Sequence, residues 1–222
     1  MPAPMAPEMA TAIALGLIGL ITGWLATLVS HRLPPLTLGP RPLRYRVMPV
    51  AGAIIGIVSA LWSQWQGLAP PWSALFTALL GWQLLLIAVV DAENFWLPDI
   101  LTVPLGLTGI IAAIVLPYPL GQGWMMAVLS ALFGFSALWL LAFLYRKLRG
   151  RSGLGGGDPI LFGMGAAWVG ALDLAIVLLV ASLSGLFVVL GLKLAGRNLD
   201  MHSKIPFGTY LAIGFAVAWL LV

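Results

Sequence analysis

Eight apolar stretches run through the chain, at about residues 10–30, 47–65, 73–90, 100–117, 124–144, 159–172, 174–193 and 206–222, with short connections between them. A helix needs about 20 apolar residues to cross the ~30 Å hydrocarbon core of a bilayer. In that medium the backbone polar groups must be satisfied internally, and a helix does this within one segment. The expectation is an all-α polytopic membrane protein of about eight transmembrane helices, built as a single membrane-embedded domain over residues 1–222. Only 8% of the 222 residues are charged and 61% are hydrophobic, whereas an ordinary soluble domain carries about a quarter charged residues.

Charge placement orients these spans. Arg32, Arg41, Arg44 and Arg46 follow the first, Arg146, Lys147, Arg149 and Arg151 follow the fifth, and Lys193, Arg197 and Lys204 separate the last two, which accounts for all eleven basic residues. Each cluster comes after an odd number of crossings, so all share one side. The positive-inside rule makes that side the cytoplasm and leaves both termini outside. The net charge of +4 is thereby read as membrane orientation and contact with lipid, not as a nucleic-acid surface. No basic residue precedes the first apolar stretch, unlike a secretory signal peptide, so that stretch is expected to be a retained span.

The loop between the third and fourth spans is the exception. Asp91-Ala92-Glu93-Asn94-Phe95-Trp96-Leu97-Pro98-Asp99 holds three of the seven acidic residues and no basic one. Asp91 directly follows an apolar run, at the mouth of the third span. Asp158 closes Gly155-Gly156-Gly157-Asp158 and precedes Pro159, which suits the first helical position of the sixth span. Topology brings both acids to one membrane face. Paired carboxylates that cannot both ionise divide the work of peptide hydrolysis, one taking a proton from water and the other polarising the scissile carbonyl. The glycines suit a loop that approaches a substrate backbone or moves. Taken singly, each acid has an ordinary reading: aspartate before proline is a common helix N-terminus, and Asp91 alone would be a solvated loop acid.

The surrounding residues resemble the type IV prepilin peptidases, a GXGD-type aspartic peptidase family. Asp91 followed eight positions later by the aspartate of Leu97-Pro98-Asp99, then Leu101-Thr102-Val103-Pro104, resembles the first motif of that family. Gly155-Gly156-Gly157-Asp158, continuing through Gly165-Ala166-Ala167-Trp168-Val169-Gly170, resembles the second. Ile205-Pro206-Phe207-Gly208 and His31-Arg32-Leu33-Pro34 resemble two further elements, and the four occur in the family's order.

The resemblance implies an aspartic endopeptidase of the bacterial inner membrane with Asp91 and Asp158 as its catalytic residues. Gly155, Gly156 and Gly157 would form the active-site loop, and Pro98 and Asp99 would support the motif, Asp99 as a helix-start cap or a loop-fixing residue. Its substrates would be prepilins or type II secretion pseudopilins, cut on the cytoplasmic side to release a short basic leader, and no cofactor is implied. Two features depart from the pattern. Ile160 stands where many members have lysine, and residues 31–46 form a short basic connection where bifunctional members carry a long insertion with C-x-x-C pairs associated with N-methylation. The chain has no cysteine, and the connection is too short for a separate folded pocket, so methyltransferase activity is expected to be weak or absent.

Other residues carry less. His31 and His202 lack the spacing of a zinc site, and no metal is expected. The ten tryptophans, among them Trp24, Trp62, Trp65, Trp72, Trp96 and Trp124, fall mostly near span ends, as an interfacial belt would. Gly16, Gly19 and Gly23, with Gly52 and Gly56, have the spacing of close helix packing, within the chain or at the face of a homo-oligomer. A rival reading is a small membrane transporter or helper subunit that uses the acids for ion coupling; against it, no acid lies mid-span, where coupling residues are expected.

Overall fold

The structure is a computed structural model and describes residues 6–32, 42–67, 71–117, 120–150, 154–196 and 205–221. All eight expected helices are present: α1 (Ala6–Arg32), α2 (Pro42–Trp65), α3 (Pro71–Asn94), α4 (Asp99–Val115), α5 (Trp124–Arg149), α6 (Asp158–Val169), α7 (Leu174–Leu194) and α8 (Phe207–Leu221). Among the described residues there is no strand. Helices α1, α2, α3, α5 and α7 are long and apolar enough to cross a membrane, whereas α4 and α8 are apolar but shorter. The protein is thus an all-α polytopic membrane protein. Most of the connection 31–46 lies outside the described residues, as does His202.

The helices gather into two compact units, residues 1–86 and 87–222, divided within α3. In the first, α1 and α2 pack closely and antiparallel. A Cβ on Gly19 would run into the Gly52 carbonyl, one on Gly52 into the Gly19 carbonyl, and one on Gly23 into the Met48 carbonyl. The glycine stripe therefore serves contact within the chain. Lipid is as apolar as leucine, so helices associate there through such close backbone approach and through buried polar links. The Trp82 indole N–H, which donates to the Gly52 carbonyl at 2.9 Å, and the Ser63–Ser73 hydroxyl pair are links of that kind.

The second unit is built around α6. At 12 residues it is about 18 Å long, well short of a bilayer core. Ten of those residues are buried, as expected of a helix that is apolar on every side. It packs on α4, α5 and α8 through small residues: a Cβ on Gly163 would meet the Ala131 carbonyl at 2.8 Å, and Gly165 lies under the Phe215 ring. Trp168 and Trp219 are buried in an edge-to-face pair with ring centroids 5.5 Å apart, and the Trp168 indole donates to the Leu105 carbonyl at 2.8 Å. These two tryptophans are core residues, unlike the exposed Trp24, Trp65, Trp72, Trp96 and Trp124.

Helices α4, α6 and α8 start at the end of this unit where α3 finishes. At the opposite end Gln122, before α5, donates to the Ala167 carbonyl near the end of α6. The starts of α4, α6 and α8 therefore share one end, as the parity of the spans within this unit requires.

Candidate active site

Three chain segments meet where α3 finishes. Asp91 stands in the last turn of α3, Asp158 in the first turn of α6, and Gly208 and Thr209 in the first turn of α8. Both carboxylates are buried, Asp91 4% and Asp158 5% exposed, yet both line one cavity of about 320 Å³. Phe95, Trp96, Leu97 and the loop Leu154–Gly157 complete most of its wall, with Ile205 and Phe207 from the approach to α8.

Each acid is held by backbone donors. Asp158 is the first residue of α6, one position earlier than its sequence context implied, so Pro159 is second and Gly157 occupies the N-cap. The Asp158 side chain turns back to accept the Gly155 N–H at 2.9 Å on Oδ2. Asp91 Oδ2 accepts the Thr209 N–H at 2.7 Å and lies 3.2 Å from the Thr209 hydroxyl. This approach needs glycine at 208, since a Cβ there would stand 3.0 Å from the Asp91 carboxyl and 2.6 Å from Leu97 Cδ1.

Burial pushes the Asp158 carboxyl up to about 6; the Gly155 N–H opposes the rise and the nearby Asp91 charge adds to it. Asp158 therefore retains its proton at pH values where an ordinary aspartate is ionised. Two buried carboxyls in one cavity, one of them holding its proton above the ordinary aspartate range, are groups that acid–base chemistry can use.

The expected site residues separate into two groups. Asp91, Asp158, Gly155, Gly156 and Gly157 all line the cavity. Pro98 and Asp99 do not. Pro98 is the buried N-cap of α4 and has no side-chain acceptor, and Asp99 follows as the exposed first helical residue, not as the cap. Its charge there complements the positive end of the helix. Thr209 is a contact the sequence reading did not single out, although Ile205-Pro206-Phe207-Gly208 leads directly into it. Among the described residues no three histidine, aspartate or glutamate side chains converge as metal ligands.

Fold and site define a multi-span helical membrane protein with two interacting carboxyls in one cavity at a shared helix end. Residues 78–190, a stretch containing both acids, match the type IV leader peptidase family, and the chain belongs to that family. It is 37% identical over 178 residues to the prepilin leader peptidase/N-methyltransferase of Aeromonas salmonicida (strain A449), covering 80% of this chain and 58% of that one. The protein of the same name from Pseudomonas aeruginosa is 37% identical over 150 residues, 67% of this chain and 50% of that one; the one from Neisseria gonorrhoeae is 31% identical over 190 residues, 81% and 62%. The chain thus spans less than two thirds of the length of these relatives. No solved structure matches it.

Proposed function

We propose that the protein is a membrane aspartic endopeptidase that removes the basic leader from a prepilin or type II secretion pseudopilin at the cytoplasmic face of a bacterial inner membrane. Asp91 and Asp158 are its catalytic pair. The observation that carries this reading is the meeting of two buried carboxyls on the wall of one cavity, one of them holding its proton up to about pH 6.

In this chemistry one carboxylate removes a proton from water as the water oxygen attacks the scissile carbonyl carbon, and the other carboxyl gives its proton to the carbonyl oxygen. Collapse of the resulting diol breaks the C–N bond. The proton taken from water passes to the leaving amine, and a diol hydroxyl restores the proton on the second carboxyl. Phe95, Trp96 and Ile205 place apolar surface beside the acids, and each is about half exposed, which suits a substrate whose scissile bond adjoins an apolar segment. The relatives' names support leader cleavage. For methylation, the connection 31–46 is too short for a methyl-donor pocket and lacks cysteine, so the proposed activity is the peptidase half alone.

The test is cleavage of a purified prepilin by the detergent-purified chain and by Asp91→Asn and Asp158→Asn. Each variant is expected to lose at least about a thousandfold, since residues acting as one unit fail together. Full activity in either variant removes that residue from the mechanism.

A further inference from the structure

Thr209 touches Asp91 in a way that distinguishes the two acids. The acids are equally buried, 4% and 5% exposed, so burial does not separate them. Nor do the helix dipoles favour charge on Asp91, which ends α3 while Asp158 begins α6. Direct donors do separate them. Asp91 faces the Thr209 N–H and hydroxyl on Oδ2, whereas among the described residues Asp158 accepts only the Gly155 N–H. The α8 donors lie in a first turn, where backbone N–H groups have no intrahelical partner. Hydrogen bonds to the charged form of a carboxyl favour that form.

We propose that Thr209 is a positioning residue that holds Asp91 as the charged member of the pair, so that Asp91 takes the proton from water and Asp158 carries the proton that polarises the scissile carbonyl. This rests on the peptidase reading above. Both Thr209 contacts fall on Oδ2, so Oδ1 of Asp91 is the oxygen that Thr209 leaves to water.

The hydroxyl geometry fits a carboxylate whose charge changes during turnover. Thr209 Oγ1 has one proton and two acceptors, the Ala88 carbonyl at 3.0 Å and Asp91 Oδ2 at 3.2 Å. While Asp91 is charged the hydroxyl donates to it. Once Asp91 has taken a proton, the hydroxyl turns to Ala88, and no buried donor is stranded. Among the described residues, Asp158 on α6 and Tyr210 on α8 are the titratable groups within range of the Asp91 charge, and Glu93 shares its helix turn.

The test uses the full-length chain with Thr209→Val, which keeps the shape and removes the hydroxyl, and Thr209→Ser, which keeps it. Thr209→Val is expected to lower kcat about tenfold with KM within about twofold, and to move the acid limb of the pH profile to higher pH. Thr209→Ser is expected to recover cleavage to within about threefold of the parent. Infrared titration of the carboxyl C=O band supplies a readout independent of activity. Asp91 in the Asp158→Asn chain should protonate at lower pH than Asp158 in the Asp91→Asn chain, and Thr209→Val should raise the first and leave the second.

Equal losses in both threonine variants with an unmoved acid limb, or the reverse infrared order, overturn the proposal. Failure of the parent chain to cleave any prepilin overturns the peptidase reading and the roles with it, while the infrared shift of Asp91 in Thr209→Val still decides whether Thr209 holds the Asp91 charge.

Discussion

Gly157 lies against Leu97 so closely that a Cβ at position 157 would stand 2.8 Å from the Leu97 Cβ. The contact joins the glycine loop before α6 to the connection after α3, and so fixes the walls that carry Asp158 and Asp91. Gly156, one residue earlier, has nothing within 4 Å of such a Cβ. Adjacent glycines in one motif therefore have different physical reasons to be glycine. Gly157→Ala is expected to displace the loop and reduce leader cleavage tenfold or more, because small misplacements of reacting groups are costly, about a hundredfold for 1 Å. Gly156→Ala is expected to keep the parental melting temperature. A kinetic comparison of the two with a melting curve for each checks both statements, and equal damage from both would show that loop mobility, not the Leu97 contact, sets the requirement.

The pH dependence of stability tests the Asp158 environment without a substrate. Its carboxyl is held at about 6 in the folded protein against an ordinary value of 3.8. The native state thus binds this proton more tightly than the unfolded chain does, and stability falls as pH rises from about 4 through 6. Asp158→Asn, which stays neutral, should escape that loss. It is expected to melt higher than the parent at about pH 7.5, by up to roughly 3 kcal/mol at 1.36 kcal/mol per pKa unit, with the difference shrinking toward pH 4. A variant less stable than the parent at neutral pH would mean that the Gly155 contact to the charged carboxylate outweighs burial.

The α1–α2 contact makes a prediction about assembly. A Cβ on Gly19 or Gly52 would strike the opposing backbone, whereas one on Gly16 meets the side chain of Ile57 at 3.0 Å. Gly19→Ala and Gly52→Ala are each expected to destabilise by about 1–3 kcal/mol, and Gly16→Ala by less, because a side chain gives way more easily than backbone. The chain has no native cysteine, so one cysteine placed in each helix should cross-link within a monomer. A predominantly dimeric band on a denaturing gel would reassign the glycine stripe to an interface between copies.

Apolar run length was enough to read the eight helices, because the bilayer imposes span length on composition. Helix ends were less legible. Helix α5 continues past residue 144 to Arg149, where basic side chains meet its negative end, and hydropathy does not register that extension. Asp91 and Asp158 were legible as a pair because topology and flanking motifs gave them a shared end. Thr209 was not, since its role depends on an approach to Asp91 across 118 positions, and a threonine in a first helical turn has no local signature. The central place of α6 was also hidden: a short apolar stretch reads as a weak span, and only the packing of α4, α5 and α8 around it makes it the core.

Phe95 carries the last prediction. It follows α3 with φ +51, the one described residue other than glycine in the left-handed region, and its N–H closes the helix on the Asp91 carbonyl at 2.8 Å. A bulky residue is disfavoured there, while asparagine adopts this conformation more readily. Such strain persists where surrounding structure over-determines it and is concentrated at functional sites, at about 1–3 kcal/mol each. Phe95 is 46% exposed at the cavity wall, so it buries only about half of its surface in exchange. Phe95→Asn is therefore expected to melt at or above the parental temperature although it deletes an aromatic ring, and to cleave more slowly because the apolar wall beside Asp91 is gone. Thermal unfolding and leader cleavage measured on the same preparation check the two halves together. A melting temperature several degrees below the parent would show that ring packing outweighs the backbone strain, and unchanged cleavage would remove Phe95 from the substrate's path.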